Sequence, residues 1–138
     1  MKISARNQIK CNIEHIEKGK MNSFISISLK SGYEIISNIT NSSLHFLKLK
    51  RNDDIVILFK SSSVILSKES AFNLSIKNKL QGKVIKILTE GTDSEIILDL
   101  GEDIIVAAIS TEEINLMNIK LEDILYAFIK PSDIMIGK

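Results

Sequence analysis

The chain has no tryptophan and only one cysteine, Cys11. A lone cysteine excludes an internal disulfide and fits a reducing compartment. It is not clustered with His15 and His45 in the way a zinc site requires. Aromatic residues make up 5% of the chain, so its core has to be built from Ile, Leu and Val. An excess of one charge is missing too. The formal net charge is +1, which leaves no global field to draw the protein toward DNA or a membrane. No apolar run approaches the roughly 18 residues of a membrane span. The N-terminus opens on Lys2-Ile3-Ser4 without a secretory apolar stretch. The expectation is a soluble cytoplasmic protein with no membrane partner.

What the chain does have is a repeat. Ser4-Ala5-Arg6-Asn7-Gln8 is answered by Ser75-Ile76-Lys77-Asn78-Lys79, Thr40 by Ser110, and Lys60-Ser61-Ser62-Ser63-Val64 by Lys130-Pro131-Ser132-Asp133-Ile134. A unit of roughly 70 residues written twice predicts two small domains of the same element order, 1–69 and 70–138. Each is too small to be stable alone, so the halves are expected to pack on each other or to oligomerise.

The apolar pattern predicts strands. Ile25, Ile27 and Leu29 alternate with Ser26 and Ser28, and Ile96, Leu98 and Leu100 repeat the alternation. Lys30-Ser31-Gly32 and Gly101-Glu102-Asp103 read as hairpin turns. Gln8 to Ile16 and Leu80 to Leu88 read as long first strands. Ile55 to Phe59 is a continuous apolar run, as in a strand buried on both faces. Val64-Ile65-Leu66 and Ile134-Met135-Ile136 are expected to close each its own half, and Lys68 to Leu74 to be an ordered connector. Ser110-Thr111-Glu112-Glu113 has the capping-box pattern, and Thr40 starts the equivalent turn. The predicted fold is all-β: two tandem OB-like five-stranded barrels, each with one short helix between strands three and four.

Ser4, Arg6, Thr40, Ser43, Lys60 and Ser61 fall at strand ends or at a helix start, where barrel loops gather. The set holds two cations and four hydroxyls, with no carboxylate and no histidine. It suits a small multivalent oxyanion: Arg offers a planar fork, Lys a point charge and the hydroxyls neutral donors. A helix starting at Thr40 is expected to add free backbone N–H groups. Nothing in the set is suited to act as nucleophile or base, so binding without an enzymatic reaction is predicted. The ordinary readings of the same residues are helix N-caps for Thr40 and Ser110, solvated charges for Lys60 and Lys130, and a turn for Ser61 to Ser63.

These residues together resemble the Mop family, the molbindins, which are small OB-like domains that bind molybdate or tungstate. The likeness rests on Ser4-Ala5-Arg6-Asn7-Gln8, on Ile39-Thr40 with Ser43, on Leu47-Lys48-Leu49 and on Lys60-Ser61-Ser62-Ser63-Val64-Ile65-Leu66. It implies an intracellular protein that stores, buffers or delivers the oxyanion, with no covalent cofactor and no metal ligated directly by protein. It implies a homotrimer of six domains with ions held at domain or subunit interfaces. The binding residues it implies are Ser4, Ala5, Arg6, Asn7, Thr40, Ser43, Lys60 and Ser61. Ser75, Lys77, Ser110 and Lys130 are weaker candidates in a degenerate second repeat, where Lys77 replaces Arg6, Glu113 replaces Ser43 and Pro131 replaces Ser61. On this reading Arg6 should matter most. The alternatives are an OB protein that binds single-stranded nucleic acid, disfavoured by the scarce aromatics and the near-zero charge, and a ligand-free assembly module.

Overall fold

Alternation of apolar and polar residues produces β-structure throughout the computed structural model, which describes residues 2–69 and 74–138. The first half runs β1 (Asn7–Lys18), β2 (Asn22–Ser28), β3 (Glu34–Thr40), α1 (Asn41–Phe46), β4 (Asp54–Phe59), a 3-10 turn (Ser61–Ser63) and β5 (Ile65–Ser67). The second repeats it with β6 (Asn78–Glu90), β7 (Asp93–Asp99), β8 (Ile104–Ser110), α2 (Thr111–Met117), β9 (Ile124–Ile129), a 3-10 turn (Pro131–Asp133) and β10 (Met135–Gly137). Both expected hairpin turns are present, with Gly32 and Gly101 at φ +92° and +119°, where a side chain would be strained.

The long first strands make the OB-like curl possible. β1 pairs with β4 over Asn7–Asn12 and with β2 over Asn12–Lys18, and its register shifts between Ile13 and His15. β6 does the same, with its shift between Val84 and Lys86. A bulge bends a strand and increases its twist, so one strand serves two sides of the sheet.

The closing strands depart from the sequence expectation. β5 does not close its own half. It pairs with β9, with Ile65 opposite Phe128 and Ser67 opposite Tyr126. β10 pairs in turn with β4, with Met135 opposite Leu58 and Gly137 opposite Val56. The sheets are ordered β10-β4-β1-β2-β3 and β5-β9-β6-β7-β8. Each takes four strands from one repeat and its last from the other. The end of each exchanged strand is held in the same way. Lys138 reaches Asp53 at 3.0 Å and the Lys48 carbonyl at 3.1 Å. Lys68 reaches Asp123 at 3.5 Å and the Asn118 carbonyl at 2.6 Å. The central part of the expected connector, residues 70–73, lies outside the described residues.

A second exchange seals the sheet edges. β3 and β8 are edge strands, whose outer backbone groups need partners. Asn78, buried at the start of β6, accepts from the Ile36 amide and donates to the Ile36 carbonyl, both at 2.8 Å. Asn7 does the same for Val106, at 2.7 and 2.9 Å. Each asparagine amide acts as a peptide group added to the other half's edge. Ser37 Oγ adds a bond to the Ile134 carbonyl at 2.6 Å. The hydrophobic core is accordingly one cluster through both halves, including Ile27, Ile57, Phe59, Leu80, Leu98 and Ile129. This is the mutual packing that two small halves require.

Candidate functional site

The two exchanges decide which candidate residues meet. The 3-10 turn that follows Lys60 packs against β8, and the one that follows Lys130 packs against β3. Asn7 lies on β8 and Asn78 on β3. Arg6 and Lys60 of the first repeat therefore sit on the second half, whose β8 ends at Ser110. Thr40 and Ser43 stay on the first half, where Lys77 and Lys130 of the second repeat join β3. The set read along the first repeat is divided between two places, and each place is built from both repeats.

The individual residues fall as follows. Ser4 and Ser75 are exposed just ahead of β1 and β6. Ala5 is buried, and its carbonyl accepts from the Gln8 side chain at 3.0 Å. Asn7 is wholly committed to Val106, which gives it a structural task at the edge of β8. Lys60, Lys77 and Lys130 are exposed, and among the described residues none has a carboxylate partner within 4 Å. Ser61 is half-buried in its turn, and its carbonyl accepts from the Val64 amide at 3.3 Å. Pro131 takes the matching place without distortion, because a helical first position needs no N–H.

The helix starts offer less than expected. α1 has six residues. Its Asn41 amide already donates to the Met21 carbonyl at 2.8 Å, and its Ser43 amide to Thr40 Oγ1 at 3.2 Å. Ser110 Oγ caps α2 in the same way, accepting from the Glu113 amide at 3.1 Å. The capping readings of Thr40 and Ser110 hold, and few amides are left for a ligand. Thr40→Ala should lower stability by about 1 kcal/mol through the lost cap, measured by urea unfolding. A loss below a few tenths would mean that the cap carries no weight.

Charge separates the two places. Arg6 Nη1 donates to both carboxylate oxygens of Glu95, each at 2.9 Å. Folding thus brings a carboxylate onto the cation that the sequence places in a carboxylate-free set. Glu95 lines an open groove of about 700 Å³ together with Glu90, Asp93, Ser94 and Ser110. Sequence reasoning missed these acids because they lie on strands away from every motif. The available signal was their counterparts in the first repeat, Gly19, Asn22 and Phe24. Elsewhere, burial pushes the Cys11 thiol up to about 11, so at neutral pH it is not a thiolate ligand. Among the described residues no His, Cys, Asp or Glu cluster is arranged to hold a metal ion, and no helix is long and apolar enough to cross a membrane.

Comparison with known proteins gives a consistent picture. The TOBE domain family matches residues 3–66 and again 74–136. The molybdenum transport protein ModE of Herbaspirillum seropedicae is 28% identical over 139 residues, covering 99% of this chain and 52% of ModE. The molybdenum-pterin-binding protein MopA of Rhodobacter capsulatus is 29% identical, covering 80% of this chain and 42% of MopA. The chain thus spans about half the length of these curated relatives. The crystal structure of the cytoplasmic molybdate-binding protein ModG, with molybdate bound, superimposes with a TM-score of 0.94 at 29% identity over 99% of both chains.

Proposed function

The chain belongs to the TOBE domain family, twice over, and from that premise we propose that it binds molybdate or tungstate non-covalently as a cytoplasmic store, buffer or carrier. The observation that carries this reading is the end-to-end likeness to ModG, at 29% identity and a TM-score of 0.94. It is supported by the residue types at the two places: Arg6, Lys60, Ser61 and Ser110 are brought to one, and Lys77, Lys130, Thr40 and Ser43 to the other. The proposed binding residues are Ser4, Arg6, Lys60, Ser61 and Ser110 on one side, and Ser75, Lys77, Lys130, Thr40 and Ser43 on the other. Ala5 and Asn7 belong to the frame that positions them.

The sites are completed by assembly on this reading, and three chains form a closed six-domain trimer. Support comes from apolar side chains left in solvent: Met21, Phe46 and Leu116 are 80%, 86% and 73% exposed. A tetrahedral dianion is then held by donors spaced to its size. Sulfate, being smaller, leaves donors unpaired at about 1–3 kcal/mol each. Calorimetric titration should show about tenfold or greater preference for molybdate and tungstate over sulfate. Light scattering should give three times the 15.4 kDa chain mass. Equal affinity for sulfate and molybdate would refute the selective pocket, and a monomer in solution would remove the proposed interfaces.

A further inference from the structure

The two places are equivalent in backbone and unequal in charge, and this can be followed strand by strand. In the second half Glu90, Asp93 and Ser110 share one row, and Leu88, Glu95 and Ala108 share another. The first half sets Asn22 beside Thr40 in the first of these rows, and Glu17, Phe24 and Asn38 in the second. In these two rows the Ser110 side thus carries three carboxylates, and the Thr40 side carries one, Glu17, a strand farther from β3. α2 adds Glu112 and Glu113 to the Ser110 side, where α1 has Ser42 and Ser43. The 3-10 turn over β3 contributes Asp133 to the Thr40 side. That side also carries Lys18, whose Nζ lies 3.2 Å from His45 Nε2.

The cations follow the same division. Arg6 is already engaged by both oxygens of Glu95. Lys77 stands one residue ahead of Asn78, as Arg6 does ahead of Asn7. Phe24 occupies the place of Glu95, opposite Asn38 as Glu95 is opposite Ala108. A dianion approaching Arg6 has to displace a carboxylate and then remain beside Glu90 and Asp93. Among the described residues Lys77 and Lys130 have no carboxylate within 4 Å, so a dianion approaching them has no ion pair to break. Like-charge repulsion at separations of a few ångströms, reduced by solvent screening where Arg6 is half exposed, therefore disfavours a dianion on the Ser110 side relative to the Thr40 side.

Building on the oxyanion reading, we propose that the tight anion site of each chain is the one formed by Lys77 and Lys130 with Thr40 and Ser43, and that Glu95 is the residue that keeps the Arg6 side weak or empty. This reverses the ranking expected from the motifs alone. The apparently degenerate second repeat supplies the cations of the better site, and the intact motif of the first repeat is delivered to an acidic surface.

Calorimetric titration of the full chain with molybdate tests this. Lys77→Ala should weaken the tight phase at least tenfold. Glu95→Gln should raise the number of ions bound per chain. Phe24→Glu, which places a carboxylate at the equivalent position of the Thr40 side, should weaken the tight phase by a similar factor, and its position half in solvent makes it a variant expected to fold. Wild-type affinity in Lys77→Ala, or an unchanged stoichiometry in Glu95→Gln, overturns the proposal. A wild-type chain that binds no molybdate overturns the oxyanion reading beneath it, a result distinct from either of these.

Discussion

Asn78→Ala is expected to destabilise the protein by about 2–6 kcal/mol, although the residue is a small polar one at the start of a strand. Its side chain is buried and makes two hydrogen bonds to the backbone of Ile36 in the other half. Truncation to alanine leaves an N–H and a C=O of an edge strand without partners in a part-buried place. Each unsatisfied group costs about 1–3 kcal/mol. Asn7→Ala should behave alike, because Asn7 holds Val106 in the same way. Asn78→Asp sharpens the test. It keeps an acceptor for the Ile36 amide, loses the donor to the carbonyl and sets a negative charge against that carbonyl. Urea unfolding of the variants measures the loss, and a change below about 0.5 kcal/mol, the range of ordinary surface substitutions, would show that these amides do not join the halves.

Removal of residues 135–138 should cost about 2–4 kcal/mol, and the damage should appear in the first half of the protein. The estimate combines the lost burial of Ile136 with the lost strand pairing of β10. β10 lies on one side of β4 and β1 on the other, so those amides of Val56 to Leu58 that point toward β10 should lose their protection from hydrogen exchange. Those of Tyr126 to Phe128 in β9 are covered by β5 and should keep theirs. Protection lost in β9 and retained in β4 would mean that each half is closed by its own last strand.

Local sequence was informative wherever a short-range preference decides the outcome. Alternation in Ile25-Ser26-Ile27-Ser28-Leu29 specifies a half-buried strand whatever it pairs with, because successive side chains point to opposite faces. Gly32 and Gly101 mark turns because the backbone there needs positive φ. Thr40 and Ser110 mark helix starts because their oxygens accept the otherwise unpaired amides. The repeat then fixes element order in the second half once it is known in the first. The residue types at the motif positions were sufficient to suggest an anion and the Mop likeness.

Pairing between distant strands was not legible, and the site depends on it. Ile65-Leu66-Ser67 and Met135-Ile136-Gly137 have nearly the same apolar pattern, and β4 and β9 offer nearly the same partners. Nothing local prefers one's own half to the other. The choice is made by the whole of the packed interface: the continuous core, the Asn7 and Asn78 clamps and the Lys–Asp pairs that hold each strand end. That choice carries the Lys60 turn onto β8 and the Lys130 turn onto β3, and it puts Glu95 against Arg6 across 89 positions of sequence. The sequence by itself determined which chemical groups the protein has and in what order its strands run. Tertiary structure alone decided which of those groups face one another, because electrostatic balance at a site depends on distance in space and the chain records only distance along itself.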